Sequence, residues 1–391
     1  MFSRRRVERG VGGAVSVLLA RRRSEYRLPL PCPGWCAVLT TAPAGGAPHL
    51  LRLLGQTPVA FVDAPMPFSH NGFHAKLEYL SPGGMKARAA VAMLQAARQR
   101  GELRPGATVV ESTSGTLGVG LAFAGQALGH PVVLVVDRDI DRSMRTLLTA
   151  YGTTVEVVDQ PHPVGGWQQA RLDRLHQLLD RLPGAFWPDQ YHNPDNVTGY
   201  RALADELVTQ LDVADVLVCS VGTGGHSAGL ARELRRHWPG LRLVGVDTVG
   251  STIFGQPARP RLMRGLGSSI YPRNVDYRAF DEVHWIGPVE AVDSCRRLAR
   301  TAFVTGGWST GAVARVAAWI SRMESGVRVV TVFPDGPHRY LDSIFDDAYC
   351  AAHGLLAPAP AHPIEIPHPY AVEVTRWSRC RTVLDPVAVA A

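Results

Sequence analysis

Residues 107–136, ATVVESTSGTLGVGLAFAGQALGHPVVLVV, decide the fold class. Ala107 to Glu111 reads as a strand. Leu117 to Leu128 is an apolar helix stopped by Gly129, and Val132 to Val136 has no polar residue, so that strand is expected to be buried on both faces. A strand, a glycine-containing loop, a helix and a second strand within 30 residues form a βαβ unit, and such a crossover joins parallel neighbours.

The same alternation runs outward from this unit. Thr57 to Asp63, the segment around Lys76, Thr154 to Val158, Val216 to Val221, Leu241 to Val246 and Val327 to Phe333 read as strands. Lys86 to Arg100, Trp167 to Arg181, Val197 to Leu211 and Thr310 to Met323 read as helices. Strands alternating with helices predict an α/β protein with parallel sheets covered by helices. The 391 residues suffice for two such domains. Residues after about Leu355 are rich in Pro and Ala and show little periodicity, so they are expected to wrap the surface or stay mobile.

Composition narrows the function. Apolar residues at 46% and charged residues at 19% are those of a globular chain. The formal charge of +7 is concentrated at one end: Arg4, Arg5, Arg6, Arg9, Arg21, Arg22 and Arg23 stand against Glu8 alone. The remainder is nearly neutral, so no general nucleic-acid surface is expected. The apolar stretch Val11 to Ala20 is bounded by Arg21-Arg-Arg and lacks a small-residue cleavage site, which reads as an extension rather than an export signal. No apolar run reaches the roughly 18 residues of a membrane span. Six scattered cysteines imply reduced thiols in a cytoplasm, and Cys32 with Cys36 has no second pair to complete a metal site.

Four segments carry candidate chemistry. Among 41 basic residues only Lys76 and Lys86 are lysines. Arginine cannot replace lysine where an amine must lose its proton and attack a carbonyl. Lys86 follows Ser81-Pro-Gly-Gly-Met and opens a helix, a place that disfavours the protonated amine. Ser112-Thr-Ser-Gly-Thr-Leu-Gly118 offers hydroxyls and free N–H groups at a helix start, suited to a carboxylate, although Ser and Thr are also ordinary caps. Gly222-Thr-Gly-Gly-His-Ser-Ala-Gly229 can wrap a phosphate. It departs from the dinucleotide fingerprint at Ser227, yet Asp247 ends the next strand where a ribose-binding acid belongs, so a dinucleotide-dependent oxidoreductase is the rival enzyme class. Gly306-Gly-Trp-Ser-Thr-Gly311 precedes another helix and alone reads as a capped start.

In order, these segments with Asp189-Gln-Tyr-His-Asn-Pro194 resemble the cysteine synthase/cystathionine β-synthase family of fold-type II pyridoxal-phosphate (PLP) enzymes, over about residues 50–350. The resemblance implies Lys86 as the Schiff-base lysine. It implies Thr113, Ser114, Gly115 and Thr116 as the loop holding the substrate α-carboxylate, with Gln190 assisting. Gly222, Thr223, Gly224, Gly225 and His226 match the cradle for the cofactor phosphate, and Ser309 matches the partner of the pyridine nitrogen. The implied fold has two parallel-sheet domains with PLP between them: residues 51–87 plus 190–352 as the large one, 88–189 as a small mobile one, 1–50 as a basic extension expected to be disordered, and 353–391 as a tail. The implied reaction is β-replacement on an O-activated serine or cysteine-like amino acid, with Lys86 as general base at Cα. β-Elimination alone, and a relative that binds PLP without turnover, are the alternatives. A cytoplasmic homodimer with a small amino-acid substrate is implied as well.

The sequence departs from the family pattern at three places. The lysine segment is one residue shorter between Pro82 and Lys86. Thr116 stands where the loop usually has Asn and contacts the cofactor. His226 stands where the cradle usually ends in Thr. These departures, with Gly265-Leu-Gly-Ser-Ser269, make the chain similar to the synthases that build diaminopropionate precursors from O-phosphoserine. Ser268, Ser269 and His226 are expected to line the substrate pocket.

Overall fold

A computed structural model describes residues 46–63, 71–113, 115–163 and 166–390. Most of the expected basic extension, Cys32, Cys36 and Ser114 lie outside the described residues. At residues 48–53, partly within the segment expected to be disordered, the chain forms a 3-10 helix, Pro48–Leu53, and the Ala47 N–H donates to the Gln126 carbonyl at 3.0 Å.

The strands are β1 Val59–Val62, β2 Phe73–Lys76, β3 Val109–Ser112, β4 Val132–Asp137, β5 Thr154–Val158, β6 Val216–Ser220, β7 Arg242–Thr248, β8 Glu282–Ile286, β9 Val329–Val332, β10 Ile364–Glu365 and β11 Ser378–Cys380. The helices are α1 Lys86–Gln99, α2 Thr116–Leu128, α3 Arg142–Ala150, α4 Gly166–Arg181, α5 Asp195–Thr198, α6 Arg201–Gln210, α7 Gly225–Leu234, α8 Pro288–Thr301, α9 Trp308–Met323, α10 Asp347–Ala352 and α11 Pro386–Ala390.

Two sheets result. β3-β4-β5 is parallel throughout, with Val132–Asp137 buried along its whole length as its apolar run requires. The larger sheet has the order β1-β2-β9-β6-β7-β8-β11-β10, parallel from β2 to β8 and antiparallel where β1 and β11 join it. Burying each Val or Leu of such strands is worth roughly 1.5–3 kcal/mol relative to leaving it exposed.

Small residues decide the closest helix contacts. A Cβ on Gly120 would stand 2.9 Å from the Ala87 nitrogen, so α2 packs directly on the first turn of α1 and fixes where Lys86 emerges. The expected single helix from Val197 to Leu211 is instead α5 and α6. The break is at Gly199, where a Cβ would meet Ala92 of α1 at 2.8 Å.

The tail differs most from expectation. Two short strands follow Val329–Val332: Ser378–Cys380 pairs with β8 and Ile364–Glu365 pairs with β11. Trp377 is fully buried, and its indole N–H donates to His284 Nδ1 at 3.1 Å. Arg379 Nε donates to Glu282 at 2.9 Å. Among the described residues no helix is long and apolar enough to cross a membrane.

Candidate functional site

The parallel strands of both sheets end on one side, and their outgoing loops enclose a cavity of about 210 Å³. Loops at the carboxyl ends of parallel strands are where α/β proteins bind ligands. The walls include Lys86, Thr113, Gly115, Thr116, Gln190, Gly222 and Thr223, the candidate residues of four segments far apart in the chain.

Lys86 sits at the start of α1, where Gly83 and Gly84 take φ of +73° and +64°. At Gly84 a Cβ would meet the Pro334 carbonyl oxygen at 2.6 Å, so only glycine lets this loop approach the end of β9. Among the described residues the Lys86 Nζ has no hydrogen-bond acceptor. Burial pulls its pKa down to about 8, with the Asp335 carboxylate opposing.

After β3, the Thr113 hydroxyl accepts the Gly115 N–H at 3.2 Å, and α2 begins at Thr116. The Gly118 N–H donates to the Gly115 carbonyl at 3.1 Å, while the Thr116 and Leu117 N–H groups before it have no partner within the helix. Gln190 is buried, and its carbonyl accepts from Asn196 Nδ2 at 2.7 Å and Asn274 Nδ2 at 3.0 Å. The preceding residue, Asp189, holds φ of +48°.

In the loop after β6, Gly224 takes φ of +83°, and its missing Cβ would stand 2.6 Å from the Val275 backbone. The Thr223 hydroxyl accepts from Asn196 Nδ2 at 3.2 Å and from the Gly225 N–H at 3.4 Å. Gly222 and Thr223 face the cavity, whereas Gly224, Gly225 and His226 do not line it. The His226 ring packs edge-on against Tyr200 at 5.9 Å, and burial, then the Lys86 charge, push its pKa to about 3, so it is neutral.

Ser309 lies in the first turn of α9. Its Oγ is buried without a hydrogen-bond partner, 3.8 Å from where a Cβ on cavity-lining Gly265 would be. A buried hydroxyl left alone is costly and marks a place for a polar ligand. Ser268, expected in the pocket, is turned inward instead: its Oγ accepts the Ile270 N–H at 3.1 Å, and Gly267 and Ile270 line the wall in its place. Asp247, the candidate ribose-binding acid, is fully buried. It accepts the Thr248 N–H at 2.8 Å, and burial raises its pKa to about 7. It is closed to any ribose, which removes the strongest support for a dinucleotide enzyme.

Several wall residues carried no local sequence signal. Arg171, Arg264 and Arg339 bring guanidinium groups to the cavity. Arg171 pairs with Asp137, Arg264 donates to the Asp139 carbonyl at 3.1 Å, and Arg339 pairs with Asp335 at 3.4 Å. The Tyr340 hydroxyl donates to Asp335 at 2.6 Å. Glu111 lines the cavity too, and burial raises its carboxyl to about 8.

Known proteins resemble the chain over most of its length. Residues 50–335 match the family described as pyridoxal-phosphate dependent enzyme. N-(2-amino-2-carboxyethyl)-L-glutamate synthase of Ralstonia nicotianae is 38% identical over 281 residues, covering 71% of this chain and 83% of that one. Its namesake in Cupriavidus metallidurans is 36% identical over 309 residues, covering 77% and 91%. The crystal structure of O-ureido-L-serine synthase is similar with a TM-score of 0.71 at 28% identity, covering 77% of this chain and 98% of that one. O-acetylserine dependent cystathionine β-synthase from Helicobacter pylori is similar at a TM-score of 0.69 and 28% identity, covering 75% and 97%.

Proposed function

The chain belongs to the pyridoxal-phosphate dependent enzymes, and from that premise we propose that it performs β-replacement on an O-activated serine, with the amine of an acidic amino acid as the incoming group. The observation that carries the reading is a lysine amine with no acceptor among the described residues, opening on the same cavity as a glycine loop and backed by an orphaned buried hydroxyl at Ser309.

The residues fit the cofactor. Lys86 would hold it covalently, the Gly222–Gly225 backbone would take its phosphate, and Ser309 Oγ would meet the ring nitrogen. When bound, the cofactor supplies an electron sink that acidifies the substrate Cα–H and lets the β-substituent leave.

The chain's own contributions follow from the site. The Thr113–Thr116 loop and Gln190 would bind and orient the α-carboxylate. Lys86, once released, would take the Cα proton on Nζ, and a pKa near 8 leaves part of the amine neutral at physiological pH. Arg171, Arg264 and Arg339 stand at the wall beside Asp137, Asp141 and Asp335, and the guanidinium N–H groups left over by those acids would suit a negatively charged leaving group and a dicarboxylic nucleophile. The relatives' name has that chemistry: a 2-amino-2-carboxyethyl group on the nitrogen of glutamate.

The same reading takes residues 88–189 as the smaller moving body and the enzyme as a cytoplasmic homodimer. The resemblance supports both, and Cys219, Cys295, Cys350 and Cys380 are free thiols.

The test is a visible spectrum of purified protein and of Lys86→Ala, before and after O-phosphoserine, O-acetylserine or cysteine, followed by glutamate and mass analysis of the product. The expected result is a lysine-bound cofactor band in wild type only, shifted by one of the serine derivatives and restored with a new C–N product. A wild type without the band overturns the cofactor assignment. A band that no substrate shifts overturns the catalytic reading, and release of pyruvate without a glutamate adduct replaces it with elimination.

A further inference from the structure

Glu111 is the one acid in strand Val109–Ser112, and the chemistry above gives it nothing to do. It is only 2% exposed, in the cavity wall. Its carboxylate gathers three donors. Oε1 accepts the Ser112 N–H at 2.8 Å and the Trp187 indole N–H at 3.2 Å, and Oε2 accepts the Gln190 N–H at 3.3 Å. Ser112 leads into the loop that carries Thr113, Gly115 and Thr116, and Gln190, 79 positions from Glu111 in the chain, lines the same cavity.

The connection continues past Gln190. Its carbonyl takes Asn196 Nδ2, and the same nitrogen reaches the Thr223 hydroxyl in the glycine loop. A single run of hydrogen bonds therefore joins the end of β3, the Gln190 corner and the loop after β6. The corner needs holding, because Asp189 keeps a left-handed φ of +48° that a non-glycine residue adopts only when its surroundings impose it.

We propose that Glu111 is a positioning residue: it sets the Gln190 peptide against the segment that carries Thr113, Gly115 and Thr116 so that both meet the α-carboxylate of the amino-acid substrate. This rests on the reading of those two segments as the carboxylate site. A carboxyl group suits the task because each of its oxygens can accept, the hydroxyl oxygen of the protonated form included, so neither segment's N–H is left unpaired, whereas an amide nitrogen cannot accept. Burying it is unfavourable, as its raised pKa records, so an apolar or amide side chain would be the easier occupant if packing alone mattered.

Glu111→Gln tests this. The amide keeps the shape but turns one acceptor into a donor, which leaves either Gln190 or the Ser112–Trp187 pair without an acceptor. The readout is titration of the cofactor band with L-serine and with L-serinamide, whose ratio of dissociation constants reports carboxylate recognition. Wild type is expected to favour L-serine. Glu111→Gln is expected to keep the band and lose roughly 5- to 100-fold of that preference, the range for a buried donor left unpaired. Trp187→Phe removes one donor and keeps the carboxylate, so it serves if Glu111→Gln fails to fold; a smaller loss in the same ratio is expected. An unchanged ratio, with both ligands weakened equally or neither weakened, overturns the proposal. A wild type that binds both ligands alike overturns the carboxylate-site reading itself, and the proposal with it.

Discussion

The two lysines of this chain show how far a residue's surroundings decide its chemistry. Lys76 is fully buried in β2, and its Nζ reaches Glu206 at 2.6 Å, Gln210 at 2.8 Å and the Thr57 carbonyl at 2.5 Å. Burial lowers its pKa, but Glu206 resists, and Arg88 joins the same cluster through Glu78 and Glu206. Lys76 is a structural cation. Lys86 has no such oxygens among the described residues, so burial acts on it with Asp335 opposing. An amine attacks a carbonyl as the free base, so the pH at which loading saturates reports this pKa. In cofactor-stripped protein, the rate at which the lysine-bound band appears is expected to rise with pH and level off just above 8. An ordinary lysine would keep accelerating toward pH 10, and that outcome would show that Lys86 is not desolvated.

At the scale of elements, the loops after β3 and β6 were legible because each follows a strand and opens a helix, a pattern that survives in any single segment. What they face was not legible. Arg171 comes from the middle of α4, and Glu111 finds Gln190 only because the chain at Phe186 returns beside β3. Glu282–Ile286 went unread for a related reason. Its Glu282 and His284 are polar residues in a buried strand, satisfied by Arg379 and Trp377 nearly a hundred positions later. The loop after β6 makes a further expectation. Gly224→Ala places a Cβ in a left-handed conformation and 2.6 Å from the Val275 backbone, which cannot swing aside as a side chain would. Cofactor affinity, followed by fluorescence titration, is expected to fall at least about 10-fold, since roughly 1 kcal/mol of backbone strain adds to the clash. Gly240→Ala, with nothing within 4 Å, is the control that should change nothing. Equal affinities for the two variants would mean the loop does not hold the phosphate.

For the whole molecule, the C-terminal residues are part of the folded unit rather than an appendage, although they lie beyond the matched family region. They act at two places. At the edge of the large sheet, Trp377 packs fully buried against Trp319 and His284, and Arg379 closes on Glu282. Nearer the cavity, Gln256 donates to the carbonyls of Pro369 and Val372 and accepts the Val374 N–H at 2.8 Å, while Arg259 pairs with Glu373. Gln256 and Arg259 belong to the segment whose continuation, Arg264 to Gly267, forms cavity wall. The exposed Arg259–Glu373 pair adds little to stability, so the buried tryptophan is where the tail's contribution concentrates. Truncating a large buried aromatic costs about 3–5 kcal/mol, and here it also strands the His284 nitrogen that accepted the indole N–H. Trp377→Ala is therefore expected to lose about that much stability in denaturant unfolding, and to keep its cofactor band below the transition because Trp377 does not touch the cavity. A loss under about 1 kcal/mol would instead mean that the large sheet is complete at β8 and that the tail merely rests on it.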